Sequence, residues 1–182
     1  MSDKDIGQND NDRGLIVVYT GTGKGKTTAA VGQSLRMAGH GFRVYLVHFM
    51  KGRDYGEFLP LHNLSNVTIV KGGRDEFVYR DNPDPQDVEL AQKGLNDARK
   101  ALFSEKYDLI VMDEINVALD FGLIETSDIV DMIKDKPFHT NIILTGRNAA
   151  AEIMEIADTI TEMKELKHHY QSGVINRKGI EY

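Results

Sequence analysis

The stretch Gly21-Thr22-Gly23-Lys24-Gly25-Lys26-Thr27-Thr28 follows the apolar run Leu15-Ile16-Val17-Val18-Tyr19 and leads into a helical pattern. A strand, a glycine-rich loop, Lys-Thr and a helix in that order restrict this part of the chain to a phosphate-binding βα unit. Glycines let successive N–H groups curl into one concavity, which is an anion nest. The helix N-terminus adds unpaired donors and the positive end of its dipole. Lys26 supplies a mobile charge for phosphate oxygens, and the Thr27 hydroxyl is placed to ligate a magnesium ion. The common pattern is Gly, four residues, then Gly-Lys-Ser/Thr. Gly25-Lys26-Thr27 fits it, but the opening position is Thr20, with Gly21 one residue later. The segment therefore reads as a nucleoside-triphosphate loop, against the plainer alternative of a glycine-rich turn.

The rest of the chain repeats the strand–helix alternation. Apolar runs predict further strands at 43–50, 67–70, 109–112, 141–144 and 159–163. Helical spacing predicts helices at 26–37, 87–104, 126–133 and 149–156. Val88, Ala91, Leu95, Ala98 and Leu102 form the apolar stripe of the longest, with Gly94 an unexpected residue inside it. Residues 164–182 are polar and less regular. This alternation predicts an α/β fold, P-loop NTPase-like (RecA-like), with a mainly parallel sheet and helices on both faces. Residues 1–13, rich in Asp, Asn and Gln, read as a flexible segment before one domain at 14–182.

Composition narrows the partners. The net charge of −6 argues against broad binding to nucleic acid. No apolar run approaches the ~18 residues of a membrane span. Cysteine is absent, which excludes disulfides, thiolate metal sites and cysteine nucleophiles and suits a cytoplasmic location.

Ligands of such sheets sit at the C-terminal strand edge. The phosphate loop, Lys51-Gly52, Asp113-Glu114 and Gly146-Arg147 all follow predicted strands and belong on that rim. Asp113 and Glu114 end an apolar strand, where carboxylates can hold magnesium opposite Thr27; the alternative is a helix cap by Asp113. Lys51 and Arg147 can meet phosphate or carboxylate, or be solvated charges. Phe77 and Tyr79 form either a small local core or a cover for a large flat ligand. His168-His169 lacks further ligands nearby in sequence, so a metal site there is not expected.

The ordered series of these motifs resembles the P-loop type of ATP:corrinoid adenosyltransferase. The likeness runs from Gly14 to Tyr182. It includes the loop through Ala30, Val47-His48-Phe49-Met50-Lys51-Gly52, Phe77-Val78-Tyr79, Met112-Asp113-Glu114, Leu144-Thr145-Gly146-Arg147, Lys167-His168 and the terminal Gly179-Ile180-Glu181-Tyr182. The family's loop begins at the position of Gly21, which accounts for the shifted glycine. The resemblance implies transfer of the 5′-deoxyadenosyl group of ATP to the cobalt of a reduced corrinoid, with triphosphate released. It implies ATP held in reverse of the usual direction by Gly21, Thr22, Gly23, Lys24, Gly25, Lys26, Thr27 and Thr28, with Lys51 and Arg147 nearby. Lys26, Thr27 and Glu114 would be catalytic. Thr27, Asp113 and Glu114 would hold magnesium or manganese. Phe77 and Tyr79 would map onto an aromatic pair that displaces the lower corrinoid ligand, Tyr79 standing where a tryptophan is familiar. A homodimer and a reducing partner such as a flavoprotein are also implied. A small P-loop kinase or ATPase acting at the γ-phosphate is the runner-up, and a nucleotide-controlled binding module the non-catalytic alternative.

Overall fold

The computed structural model describes residues 12–50, 52 and 55–181. Of the predicted lead-in, only Asp12 and Arg13 fall within this range. All six predicted strands form: β1 (Ile16–Thr20), β2 (Val44–Phe49), β3 (Val67–Gly72), β4 (Leu109–Asp113), β5 (Asn141–Thr145) and β6 (Thr159–Glu162). They build one sheet in the order β3-β2-β4-β5-β1-β6, with every neighbouring pair parallel.

Among the described residues six α-helices accompany them: α1 (Lys26–Gly39), α2 (Phe58–Leu61), α3 (Pro85–Phe103), α4 (Ile115–Asp120), α5 (Thr126–Lys134) and α6 (Ala151–Ile156). Period-two alternation along the strands divides the core between the sheet's faces. Val44, Leu46, Leu109, Val111 and Ile143 pack with Ala30 and Ala38 of α1 and Phe58 and Leu61 of α2. Tyr45, Val47, Phe49, Ile110, Met112, Ile142 and Leu144 pack with residues of α3, α4, α5 and α6. Strands covered on both sides need no polar alternation, which is why β4 reads as an unbroken apolar run. Leu102 and Phe49 are fully buried, and burial of each contributes roughly 1.5–3 kcal/mol.

Two short helices escape the sequence pattern. α2 is a single turn containing Pro60, and α4 has six residues, so neither offers a window for periodicity. α3 begins earlier than predicted because Asp84 caps it, its side chain accepting from the Gln86 N–H (2.9 Å) ahead of Pro85. Gly94 also has a reason. A Cβ there would lie 3.1 Å from Phe49 and 3.2 Å from the Gly72 Cα, so the glycine lets α3 sit close against β2 and β3.

The sheet's outer edge is tied by one carboxylate. Asp158 accepts from the Ile16 N–H (2.8 Å) and from the Arg13 guanidinium. The Arg13 hydrogen bond holds the Asp158 carboxyl below the usual carboxylate range. A depressed folded-state value means stability that is present above the unfolded value, about 3.9, and lost as pH falls through the folded one. Arg13 is partly exposed, so screening keeps the effect to ~1 kcal/mol or less. Asp158→Asn should therefore unfold at lower urea than the parent at neutral pH, with the gap closing as the pH falls below the ordinary carboxylate range. A gap that is the same at both pH values would remove the ion pair as its cause.

Candidate functional site

The C-terminal strand ends meet where β1 enters the phosphate loop. Gly21 takes a left-handed backbone (φ 94°), and a Cβ there would fall 2.5 Å from the Met163 carbonyl oxygen. The segment after β6 thus packs directly on the loop, and the Gly23 N–H donates to that same carbonyl (2.6 Å). Lys26 opens α1 and folds back, its ammonium donating to the carbonyls of Gly21 (2.9 Å) and Gly23 (2.7 Å). Only 8% of Lys26 is exposed. The charge is thus held inside the loop's concavity.

A cleft of about 730 Å³ opens over this loop. Thr22 through Thr28 line one wall, and Glu114, Arg147, His168 and Glu181 are among the residues that complete it. Beneath it, Asp113 is buried at the end of β4. Its carboxylate accepts from the Thr145 hydroxyl (2.6 Å) and the Thr27 hydroxyl (3.3 Å), and His48 Nδ1 lies against it. Glu114 follows in a left-handed conformation (φ 60°), unusual for a side-chain-bearing residue. Its N–H donates to the Thr145 hydroxyl (2.9 Å). This fixes the turn into α4 while the Glu114 side chain lines the cleft. Asp113 does not cap α4; the position before that helix belongs to Glu114, which makes no side-chain cap bond.

Thr27 and Glu114 thus share one cleft, with Asp113 bonded to Thr27 from below. Hydroxyl and carboxylate oxygens are the donor set of a hard divalent cation such as magnesium or manganese. These residues would hold such an ion, which would neutralise charge on phosphate oxygens.

A second cleft, about 380 Å³, lies on the same rim and is lined by Met50, Gly52, Tyr55, Phe77, Val117 and Phe121, among others. Phe77 is 76% exposed and Tyr79 68%. Their rings meet edge to face with centroids 5.3 Å apart. The local-core alternative therefore does not hold: the pair stands in solvent. Tyr55 faces this cleft, whereas Gly56 and Glu57 face the first, so residues 55–57 border both. Lys51 lies outside the described residues.

The family model for ATP:corrinoid adenosyltransferases BtuR/CobO/CobP matches residues 12–182. The chain belongs to this family. The corrinoid adenosyltransferase of Escherichia coli K12 is 31% identical over 183 residues, covering 99% of this chain and 91% of that protein. The Salmonella typhimurium protein, corrinoid adenosyltransferase CobA, is 32% identical with the same coverage. A Sinorhizobium corrinoid adenosyltransferase is 32% identical over 184 residues, 94% of this chain and 82% of that one. Among solved structures, the flagellar accessory protein FlaH of Methanocaldococcus jannaschii superposes with a TM-score of 0.54 at 15% identity, over 87% of this chain and 78% of that one. A KaiC-like protein of Pyrococcus horikoshii gives 0.53 at 16%, over 85% and 75%. At these identities the likeness shows the fold alone, a P-loop NTPase-like, RecA-like sheet.

In this adenosyltransferase chain several residues in the cleft or buried beneath it carried no role in the sequence reading. His48 is one, yet a lone polar residue within Val44-Tyr45-Leu46-Val47-His48-Phe49 was a legible signal, because a buried polar side chain needs a partner. Thr145, which joins Asp113 to the Glu114 backbone, is another. His168 and Glu181 reach the cleft from the irregular C-terminal segment, where no periodicity could point to them.

Proposed function

We propose that the protein transfers the 5′-deoxyadenosyl group of ATP to the cobalt of a reduced corrinoid and releases triphosphate. One observation carries this reading: a phosphate-loop cleft and an open cleft beside exposed aromatics lie side by side on one sheet edge, bordered by residues 55–57. ATP in the first cleft and a flat corrinoid over the second bring an electrophilic carbon and a nucleophilic cobalt toward a common boundary. Family membership supports the same pairing of substrates.

The cobalt(I) lone pair attacks the 5′ carbon, a cobalt–carbon bond forms, and the bond from that carbon to the triphosphate oxygen breaks. Negative charge grows on the departing oxygen. The loop N–H groups, the α1 terminus and the Lys26 ammonium are preorganised to stabilise it. Magnesium or manganese, held by Thr27 and Glu114 with Asp113 behind them, would supply further charge neutralisation. No proton leaves the nucleophile, so no general base is needed. Arg147 and Lys24 line the same cleft and would bind phosphate oxygens; Lys51 is assigned there from the sequence alone. Phe77 and Tyr79 would occupy the lower face of the corrinoid and favour reduction of cobalt(II). The reading includes a homodimer, a cytoplasmic location suited to a chain without cysteine, and a reducing partner such as a flavoprotein. Among the described residues no helix is long and apolar enough to cross a membrane.

Anoxic incubation with ATP, magnesium and chemically reduced cobalamin tests the proposal. The absorbance spectrum should convert to that of an alkylated corrinoid, and no conversion would reject it. Glu114→Gln tests the metal assignment. It preserves shape and should raise the magnesium concentration for half-maximal rate by about tenfold, ~1.4 kcal/mol, with a smaller change in ATP affinity. An unchanged half-saturation would remove Glu114 from the metal site.

A further inference from the structure

The segment after β6 returns over the phosphate loop and brings together three side chains that are twelve or more residues apart or adjacent in sequence. His168, His169 and Glu181 each place a ligand atom within 4.8 Å of the other two. The histidine rings stack with centroids 4.4 Å apart. His169 Nε2 and Glu181 Oε1 are 3.3 Å apart. Both atoms are shielded from solvent, yet neither makes a hydrogen bond among the described residues. Two buried polar atoms this close with no proton aligned between them are placed as though they shared a third atom. Their separation also falls at the lower end of the edge lengths of a zinc tetrahedron, about 3.3–3.6 Å for ligand bonds of ~2.0–2.2 Å.

We propose that His168, His169 and Glu181 form a binding site for a zinc-type divalent transition-metal ion, separate from the oxygen site of Thr27 and Glu114. Two imidazoles and one carboxylate favour zinc, cobalt or nickel over magnesium, whose preference is for oxygen alone. Three protein ligands leave a fourth position for water. The Tyr170 N–H now donates to His168 Nδ1 (3.2 Å). Ligation at either ring nitrogen releases that N–H, since a neutral ring bound through Nε2 carries its proton on Nδ1; Tyr170 is exposed, so water can replace the bond. The other Glu181 oxygen holds the Lys24 ammonium (3.1 Å). An ion on Glu181 would therefore fasten the C-terminal segment to the phosphate loop itself.

The test uses tag-free, full-length protein stripped by chelator and titrated calorimetrically with zinc chloride in excess magnesium, without nucleotide. One zinc per chain is expected. Changes outside the ligand shell already weaken metal sites by ~10–100-fold, so His169→Ala and Glu181→Gln should each lose at least that much. His40→Ala, an exposed histidine elsewhere, should bind as the parent does. Cobalt(II) should give the intense visible bands of a four-coordinate ion in the parent and lose them in His169→Ala. Circular dichroism checks folding, and Glu181→Gln serves alone if His169→Ala does not fold. No zinc uptake in magnesium, equal affinity in Glu181→Gln, or an equal loss in His40→Ala would overturn the site.

Discussion

Lys26→Ala is expected to lower the adenosylation rate by about a hundredfold while leaving the fold intact. The ammonium is buried within the loop, where it donates to the Gly21 and Gly23 carbonyls. A charge fixed before reaction needs little rearrangement as the triphosphate departs. Removing one such preorganised contact costs about 3 kcal/mol, on the order of a hundredfold in rate. Thr27→Ala should show a comparable loss, because its hydroxyl links the metal position to Asp113. The fold should persist in both variants, because Ala30, Ser34 and Ala38 also bury the inner face of α1. Steady-state rates with circular dichroism decide the matter. Near-parental activity in both variants would mean that the triphosphate binds elsewhere.

Phe77→Ala and Tyr79→Ala are expected to separate two steps of the reaction. Both rings stand in solvent, so they contribute little to the core. If their role is to cover the lower face of the corrinoid, each variant should lose about tenfold or more, ~1.4 kcal/mol, when the reaction starts from cobalt(II) with a mild reductant. Supplied with ready-made cobalt(I), the variants should keep most of their activity. Their melting temperatures should match the parent's. Equal losses in both assays would contradict a role confined to the reduction of cobalt(II).

The fold was legible because its signals are local. The apolar β4 run, the loop that follows β1 and the helical stripe of α3 each state their structure within a few residues. Boundaries shifted where a cap decided them, as Asp84 does for α3. α2 and α4 were too short to show a period, and their buried residues pack against the sheet. The rim was legible for the same reason: Lys26, Thr27, Glu114 and Arg147 follow strands of one parallel sheet, and the structure places all four on the cleft over the loop. The contacts below and above that rim were not. Whether His48 meets Asp113 depends on the pairing of β2 with β4. The approach of Glu181 to Lys24 and His169 depends on how an irregular segment returns across the loop, which no periodicity encodes. For the same reason, adjacent histidines gave no sign of a third ligand in the sequence. Phe77 and Tyr79 could be read as core or cover, and exposure settled only that they are not core.

Attack at carbon and attack at phosphorus leave different phosphorus-containing products. Reduced cobalamin, ATP and magnesium are incubated with the protein under anoxia, and the products are followed by phosphorus nuclear magnetic resonance. Attack at carbon should give triphosphate in step with the alkylated corrinoid, one for one, with no ADP formed. ADP, whether with inorganic phosphate or a phosphorylated acceptor, would contradict it and assign the cleft to chemistry at the γ-phosphate.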